Sequence, residues 1–498
     1  MEFKYSKVDG RIMKPREKCG VVAIRSTSGA NTIPLTVIAL RALQHRGQEA
    51  WGFAIPGREP WRKTGLVSET QNEAMKVSST TPSPISIGHT RYSTMGKTIL
   101  ENVQPVMIGG NFAMAHNGTI CNTEEIVSRL ENQFKLPDWA SDTMIVGTQL
   151  IQHLKHFDGD WFRSFEKLNT ELNGAFCIIF LTMSGDIYAV RDERGFRPLV
   201  LGWHDETKSH VIASESCALS IIGAKLVRDI KAGEMVKITE SGVESHIFSK
   251  TDRTNHCAFE YTYFAHPSSN IDGVNVYSTR KKLGHELAKT YKISADVVIP
   301  VPDSARPAAL GFSEASGIPF EEGLMKDRYS KKGGLRSFIE PTEANRFEIN
   351  KRVVPVEETV RGKDVILVDD SVVRGTSSRI LVQTLRKVGV KSISLLSTFP
   401  PISHPCYAGI DFPTQDELVA FKVDGNIQNI NEINKKVASD IGADFVGYNT
   451  LDNLVRGIGI SEENLCSSCH TGDYSAFKTK PGYTSRMRKE DAKISDIC

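Results

Sequence analysis

The chain has 498 residues, of which 40% are hydrophobic and 24% charged, as in an ordinary globular protein of two or three domains. Its 61 lysines and arginines against 59 acidic residues leave a net charge of +2, so we expect no binding to nucleic acid or to a membrane surface. No apolar run is long enough to span a bilayer. The nine cysteines are odd in number and scattered, which does not suggest a disulfide framework, and we predict a cytoplasmic protein.

Residues 1–18 are polar and show no periodicity. They lack the apolar stretch of a secretory signal, and Glu2, Asp9 and Glu17 argue against a mitochondrial transit peptide. At Cys19 the pattern changes to an apolar run over residues 19–24, which predicts a buried strand. A cysteine at the start of a strand is often only structural, so this run alone does not assign a role to Cys19.

Four short polar motifs follow: Gln44-His45-Arg46-Gly47-Gln48-Glu49, Gly88-His89-Thr90-Arg91-Tyr92-Ser93-Thr94, Ala115-His116-Asn117-Gly118 and Ser141-Asp142-Thr143. Apolar runs at 174–181, 187–190, 211–214 and 235–238 predict further strands. With Cys19, the ordered motifs resemble the class II glutamine amidotransferases over about residues 19–240. The resemblance implies an N-terminal-nucleophile hydrolase fold, an αββα sandwich.

This resemblance implies roles for five residues. Cys19 becomes the nucleophile once residues 1–18 are removed as a propeptide, because its free α-amino group, with a pKa near 7.7–8.0, can then act as the base. Asn117 and Gly118 are assigned to the oxyanion. Arg91 suits the carboxylate of glutamine and Asp142 suits its ammonium group.

A second pattern begins with the apolar residues 365–368, which predict a strand buried on both faces. Asp369 and Asp370 follow it, then a loop with Gly375, Ser and Thr residues that can cap a helix, a helical run over 380–387 and Gly389 as a stop. An acidic pair after a strand is often only polar surface. The alternative is a site for a phosphorylated sugar and Mg²⁺, since backbone N–H groups at a helix start favour phosphate.

The full string resembles the phosphoribosyl diphosphate (PRPP) signature of the type I phosphoribosyltransferases. The resemblance implies a parallel α/β sheet and a PRPP site formed by Asp369, Asp370, Ser371, Val372, Val373, Arg374, Gly375 and Thr376. It also places Mg²⁺ between Ser304, which follows a predicted strand at 297–301, and the two aspartates. Residues 326–352 carry eight basic side chains and no sustained period, which suits a lid over pyrophosphate.

A polar stretch at 249–254 marks the predicted boundary between the two patterns, and a helical run follows over 280–292. We therefore predict a propeptide at 1–18, a glutaminase domain at 19–250, a phosphoribosyltransferase domain at 251–455 and a C-terminal tail at 456–498. Taken together, the two patterns resemble the family of glutamine PRPP amidotransferases over nearly the whole chain.

The tail contains a Cys-x-x-Cys pair, Cys466 and Cys469, which alone could bind zinc, act in redox chemistry or do neither. A subset of the family holds a [4Fe–4S] cluster, and the resemblance implies Cys257, Cys406, Cys466 and Cys469 as its ligands. A zinc site or free thiols remain the alternatives. Cys121, Cys177, Cys217 and Cys498 receive no role.

The resemblance implies that PRPP, glutamine and water give 5-phosphoribosylamine, pyrophosphate and glutamate, the first step of purine synthesis. It also implies feedback by purine nucleotides and a homotetramer. A PRPP-sensing paralogue is the alternative, although a sensor needs no nucleophile; a hexosamine synthase would need sugar-isomerase domains instead. The chain departs from the family pattern on the phosphoribosyl side, at Lys326-Asp327-Arg328-Tyr329, Ala265-His266-Pro267-Ser268 and Arg352-Val353-Val354.

Overall fold

The computed structural model describes residues 19–91, 100–130, 140–326, 353–410, 412, 415–423 and 429–479. Several predictions fall outside these residues: the propeptide at 1–18, the lid apart from Lys326, and the end of the second motif at 92–94. The departures at 327–329 and at Arg352 fall outside them too.

Up to residue 250, the described part of the chain forms two antiparallel sheets, one of seven strands and one of six. The strands are β1 Gly20–Ser26, β2 Ala50–Ala54, β3 Trp61–Thr64, β4 Ile85–Arg91, β5 Val106–Ile108, β6 Phe112–Ile120, β7 Gly174–Thr182, β8 Ile187–Arg191, β9 Val200–His204, β10 Ser209–Ala213, β11 Lys225–Asp229, β12 Glu234–Thr239 and β13 Gly242–Ile247. The α-helices are α1 Ile33–Ala42, α2 Val67–Thr80, α3 Thr123–Leu130, α4 Asp142–His156, α5 Trp161–Glu171 and α6 Ser216–Ile221.

These elements form four layers. The strand order is β11-β9-β10-β1-β4-β2-β3 in one sheet and β13-β12-β8-β7-β6-β5 in the other. Val21 and Ala23 of β1 pack with Ala115 and Ile179 of the second sheet, so an apolar layer separates the sheets. Helices α1, α2 and α6 pack on the first sheet, and α3, α4 and α5 pack on the second. The predicted αββα sandwich is confirmed, and β1 is buried throughout because it lies between two of these layers.

After residue 250 the central element is a parallel sheet of four strands in the order β17-β20-β21-β22. The described strands here are β14 His256–Cys257, β15 Asn270–Ile271, β16 Val274–Asn275, β17 Val297–Pro300, β18 Leu324–Lys326, β19 Val353–Pro355, β20 Asp364–Asp369, β21 Ser392–Ser397, β22 Phe445–Tyr448 and β23 Leu465–Cys466. The α-helices are α7 Val276–Thr290, α8 Arg306–Ser316, α9 Glu357–Val360, α10 Thr376–Lys387, α11 Val419–Val423, α12 Ile430–Ile441, α13 Leu451–Ile458 and α14 Ser468–Thr471. Short 3₁₀ turns lie at Leu100–Asn102, Gln415–Glu417 and Glu462–Asn464, and a short π-helix at Glu260–Phe264.

The parallel sheet is covered on both faces, which is why its strands are apolar without alternation. Helices α7 and α8 pack on one face of it, and α10 and α12 pack on the other. The predicted strand at 365–368 is confirmed as β20, whose carboxyl end delivers Asp369 and Asp370 to the edge where open α/β sheets bind ligands.

The start of α10 differs from the prediction. The helix begins at Thr376 rather than near 380, and no serine or threonine side chain caps it. Gly375 occupies the N-cap position with φ of +76°, a left-handed conformation that glycine adopts without steric cost. The Ser and Thr residues therefore lie inside the first turn.

The residues on either side of the predicted lid are neighbours. Strands β18 and β19 pair antiparallel, with Met325 opposite Val354 and Lys326 opposite Val353. Within the described residues, none of the helices is both long enough and apolar enough to cross a membrane.

Candidate active sites

Cys19 lies directly before β1 and is buried, with 7% of its surface exposed. The next residue, Gly20, pairs with Thr90 of β4, and its N–H donates to the Thr90 hydroxyl at 3.2 Å. The Arg46 side chain donates from Nε to the Cys19 carbonyl at 3.4 Å. Cys19 is thus placed beside the second motif and in contact with the first.

The predicted oxyanion residues lie on β6, which pairs with β7 in the second sheet. Both side-chain polar atoms of Asn117 are buried and have no hydrogen-bond partner among the described residues. Gly118 has φ of +145°, and a Cβ atom there would lie 2.0 Å from the Ala175 carbonyl oxygen, so only glycine fits. A buried amide without a partner costs about 1–3 kcal/mol, and such a group is usual where a ligand completes it.

Asp142 is the first residue of α4, where the helix dipole favours a negative charge. Burial would raise its pKa, but His116, the Thr143 amide and Arg91 outweigh burial and lower the pKa of Asp142 below its ordinary value. Its Oδ2 atom is 3.5 Å from Nδ1 of His116 and has no hydrogen bond among the described residues. Arg91 and Asp142, the predicted partners of glutamine, are therefore close enough for the Arg91 charge to help lower the pKa of Asp142. Asp142 is ionised at neutral pH.

His89 on β4 is fully buried, with Nε2 3.1 Å from the His116 carbonyl oxygen. Burial, helped by the nearby Arg91 charge, lowers the pKa of His89 to about 3. The unfolded chain takes up this proton near pH 6.5, whereas the folded chain resists it until about pH 3. The contribution of His89 to stability is therefore fully present above pH 6.5 and is lost as the pH falls between these values.

We expect His89→Gln to flatten this pH dependence. Between pH 6 and pH 4 its unfolding free energy should fall less steeply than that of the parent, by up to about 1.4 kcal/mol per pH unit for the one proton removed. Urea unfolding at a series of pH values measures the slope. His156→Gln, at an exposed histidine, is the control and should keep the parent slope. Equal slopes in all three proteins would contradict the expectation.

Asp369 and Asp370 are almost completely buried at the carboxyl end of β20. The Ser304 hydroxyl, in the loop after β17, donates to Oδ2 of Asp370 at 2.5 Å, and Ser371 donates to Oδ1 at 2.8 Å. The Asp370 N–H donates to Oδ1 of Asp369 at 2.9 Å. The predicted magnesium residues are therefore brought together, and they offer the oxygen ligands that Mg²⁺ prefers.

The rest of the predicted PRPP loop divides into core and surface. Val372 and Val373 are buried in two different apolar clusters, so the chain can offer a phosphate only their backbone groups. The Arg374 side chain donates to Glu417 at 2.8 Å. The loop ends at Gly375, and the first N–H groups of α10 follow it.

The four cysteines assigned to a cluster also lie near one another. Cys257 of β14 is directly opposite Cys466 of β23 in a parallel pair. The Cys469 carbonyl accepts hydrogen bonds from the N–H groups of Ser403 and His404, which holds the Cys406 loop beside the tail. Burial raises the pKa of the Cys257 thiol to about 12, and the neighbouring Cys466 and Cys406 add to this shift.

Comparison with known proteins gives one match within the first part of the chain and others over nearly its whole length. The family model for the glutamine amidotransferase domain matches residues 89–220. The amidophosphoribosyltransferase of Synechococcus elongatus is 37% identical over 470 residues, covering 93% of this chain and 92% of its own. That of Bacillus subtilis is 38% identical over 473 residues, covering 92% and 94%. This chain belongs to the amidophosphoribosyltransferase family.

A solved structure of a family member has a similar fold over nearly the whole chain. The glutamine PRPP amidotransferase of B. subtilis, complexed with ADP and GMP, matches with a TM-score of 0.81 and 35% identity over 94% of this chain and 100% of its own. The predicted family, the two-part fold and the glutamine-dependent transferase reaction of purine biosynthesis are therefore confirmed. The roles of individual residues stay predictions.

Sequence reasoning gave no role to several buried charges of this amidophosphoribosyltransferase. Arg46 stands inside a recognised motif, but its partners Glu215 and Glu260 are 169 and 214 residues away. Glu260 follows an apolar run, and an acid in such a run hints at a buried partner. The periodicity of the chain does not reveal which partner it has.

One further group has the composition of a metal site. The ligand atoms of His45, Glu215 and Cys217 lie within 4.8 Å of one another. Arg46 donates to the same Glu215 carboxylate at 2.5 Å, and Ser269 and the His266 N–H also donate to it. Because these donors fill the carboxylate and Arg46 would repel a cation, we interpret the group as a hydrogen-bond network.

Proposed function

We propose that Cys19 cleaves glutamine and that the ammonia reacts with PRPP held beside Asp369 and Asp370. The observation that carries this assignment is the buried Asn117 amide, which has no partner among the described residues and lies on β6, a strand that packs against β1 next to Cys19. Such an amide is expected where an oxyanion forms in the reaction.

In the proposed hydrolysis, the α-amino group of Cys19 takes the thiol proton as the sulphur attacks the side-chain amide carbon of glutamine. Negative charge develops on the amide oxygen, beside the N–H groups of Asn117 and Gly118. The ammonium of Cys19 gives the proton to the leaving nitrogen, which departs as ammonia. Water then releases glutamate from the thioester and restores the thiol.

This mechanism requires a chain that starts at Cys19, because an amide nitrogen there cannot accept a proton. We expect active protein to begin at Cys19 and to be alkylated at that sulphur by a diazoketone analogue of glutamine. Intact-mass analysis followed by peptide mapping checks both points. Full activity from protein that still begins at Met1, or a label elsewhere, would contradict the assignment.

In the proposed transfer, ammonia attacks C1 of the ribose as pyrophosphate leaves. The convergent oxygens of Ser304, Asp369 and Asp370 fit Mg²⁺, which when bound would neutralise charge on the departing pyrophosphate. The first N–H groups of α10, which follow Gly375, would suit the phosphate group of PRPP. Lys326, which donates to Asp303 at 2.8 Å, begins the basic segment that we propose closes over PRPP.

We further propose that Cys257, Cys406, Cys466 and Cys469 hold a [4Fe–4S] cluster. Cys257 and Cys466 lie opposite each other on paired strands, and the Cys469 carbonyl holds the loop that leads to Cys406, so the four thiols come from segments that contact one another. Burial disfavours the charge of Arg197, but Cys257, Glu260 and Cys406 outweigh burial and raise its pKa, so a cation stands beside a site that would carry thiolate charge.

We expect anaerobically purified protein to be brown and to contain about four irons per chain. Cys466→Ser should lose the iron and most of the folded protein, since it removes the ligand through which the proposed cluster would join the tail to Cys257 of β14. Iron analysis, visible absorption and the yield of folded protein check this. Stoichiometric zinc without iron would contradict it.

The solved B. subtilis relative is complexed with ADP and GMP, and this supports our proposal that purine nucleotides inhibit this enzyme. A homotetramer in the cytoplasm is the assembly we propose from the family resemblance.

A further inference from the structure

Four buried charges lie where the described residues before and after the predicted boundary at 250 meet. Arg46, Arg197 and Glu215 come from the first part and Glu260 from the second, and each is at most 2% exposed. The Glu260 carboxylate accepts from Arg46 at 2.6 and 3.0 Å and from Arg197 at 2.8 Å. Two cations and two anions thus balance in a site closed to water.

Arg46 connects this group to the reactive cysteine. Its Nε donates to the Cys19 carbonyl at 3.4 Å, while its terminal nitrogens donate to Glu215 and Glu260. A guanidinium is planar, so a carboxylate that binds both of its terminal nitrogens also fixes the direction in which the third nitrogen, Nε, points its N–H. The position of Glu260 therefore sets how Arg46 holds the backbone of Cys19.

The segment that carries Glu260 is also attached to the PRPP side. Glu260 begins the short π-helix Glu260–Phe264, an irregular form often found at functional sites. The carbonyls of Tyr261, Tyr263 and Ala265 accept hydrogen bonds from the Arg280 side chain at 3.0, 2.7 and 2.7 Å.

Arg280 is 2% exposed, and its side chain donates these hydrogen bonds to carbonyl oxygens rather than to a carboxylate. Burial lowers the pKa of Arg280 to about 10, and Asp370 is the carboxylate that opposes this most. Phe259, the residue directly before this π-helix, packs edge-on against Phe399 with 5.0 Å between the ring centroids, and the Phe399 N–H donates to the Asp370 carbonyl at 2.9 Å. The segment is thus attached to Asp370 of the proposed PRPP site through Phe399 and to the glutaminase side through Arg46.

We propose that Glu260 is a positioning residue through which the PRPP half holds Cys19 in its reactive geometry, by way of Arg46. This rests on the proposed function, in which Cys19 is the nucleophile. It goes beyond that function because it assigns part of the communication between the sites to the segment 260–265, in addition to any lid.

Glu260→Gln tests the proposal, because it keeps the shape of the side chain and removes its charge. Glutamine hydrolysis with PRPP present should lose kcat by about tenfold or more, as expected when a reacting group is misplaced by a fraction of an ångström. The KM for glutamine should stay unchanged, and so should phosphoribosylamine formation from added ammonia. The stimulation of hydrolysis by PRPP should therefore fall toward one.

Asp272→Asn is the matched control. Asp272 makes a bidentate pair with the buried Arg191, at 2.7 and 2.9 Å, and this pair also joins the two parts of the chain without touching Arg46. It should lower the thermal unfolding temperature about as much as Glu260→Gln but keep the stimulation by PRPP. If Glu260→Gln does not fold, Glu260→Asp keeps the charge but moves it one methylene away from Arg46, and should give the same loss.

Full stimulation by PRPP in folded Glu260→Gln or Glu260→Asp would overturn the inference, as would an equal loss in Asp272→Asn. Failure of the proposed function is distinguishable, because Cys19→Ala would then still hydrolyse glutamine. If only the inference fails, Cys19→Ala is inactive with glutamine while the Glu260 variants respond normally.

Discussion

Cys19→Ala is expected to lower glutamine-dependent formation of phosphoribosylamine by at least about 10³-fold, because the attacking atom is removed and other groups cannot form the thioester. Formation from added ammonia should be unchanged, since that route does not use the thiol. The buried Cys19 side chain is small, so the folded state should be kept. Steady-state assays with glutamine and with ammonium salts as alternative nitrogen sources measure the two routes.

Cys177→Ala is the control for loss of a thiol. Cys177 is fully buried on β7, and its sulphur contacts the carbonyls of Arg197 and Pro198. Burial raises its pKa, so this thiol stays protonated and unreactive. The control should use both nitrogen sources normally. Glutamine-dependent activity that survives in Cys19→Ala would contradict the assignment of the nucleophile.

The double change Asp369→Asn and Asp370→Asn is expected to abolish both routes. The two buried carboxylates supply the negative charge of the site, and without it the proposed Mg²⁺ and the pyrophosphate lose their attachment. A loss of about 10²-fold or more is expected from removing this electrostatic contribution. PRPP binding by calorimetry, together with ammonia-dependent activity, measures the effect. Stimulation of glutamine hydrolysis by PRPP should disappear with it.

Asp364→Asn is the control, because it removes a carboxylate from the same strand at a position outside the proposed PRPP site. Asp364 lies at the opposite end of β20 and pairs with Lys391 at 2.6 Å and Ser392 at 2.5 Å, away from the site. It should retain both routes. Normal ammonia-dependent activity in the double variant would show that the aspartates do not serve PRPP.

The elements that could be predicted from the sequence were those with strong apolar runs. The runs at 174–181 and 187–190 became β7 and β8, which are buried on both faces, and the run at 235–238 became β12, in which only Lys237 of the run is partly exposed. The helical run at 280–292 became α7, which starts four residues earlier, where Asn275 caps it. The start of α10 was missed because a left-handed glycine, rather than a hydroxyl, forms its N-cap.

The residues of the candidate site could be predicted only where they belong to a local sequence motif. Cys19, Asn117 and the Asp369–Asp370 pair could be named because their motifs are local and specific. The network of Arg46, Glu215 and Glu260 could not, because buried charges are selected by partners that only the fold brings near. Arg280 was missed for the same reason, since its partners are backbone carbonyls that carry no sequence signal.

The central claim is that the two sites act as one enzyme, and the ratio of products tests it most directly. Glutamate and pyrophosphate are measured with glutamine, PRPP and Mg²⁺ present together and with each omitted in turn. We expect equal amounts of the two products in the complete mixture and slow release of glutamate without PRPP. Rapid release of glutamate that is indifferent to PRPP, in protein that binds PRPP, would contradict the claim.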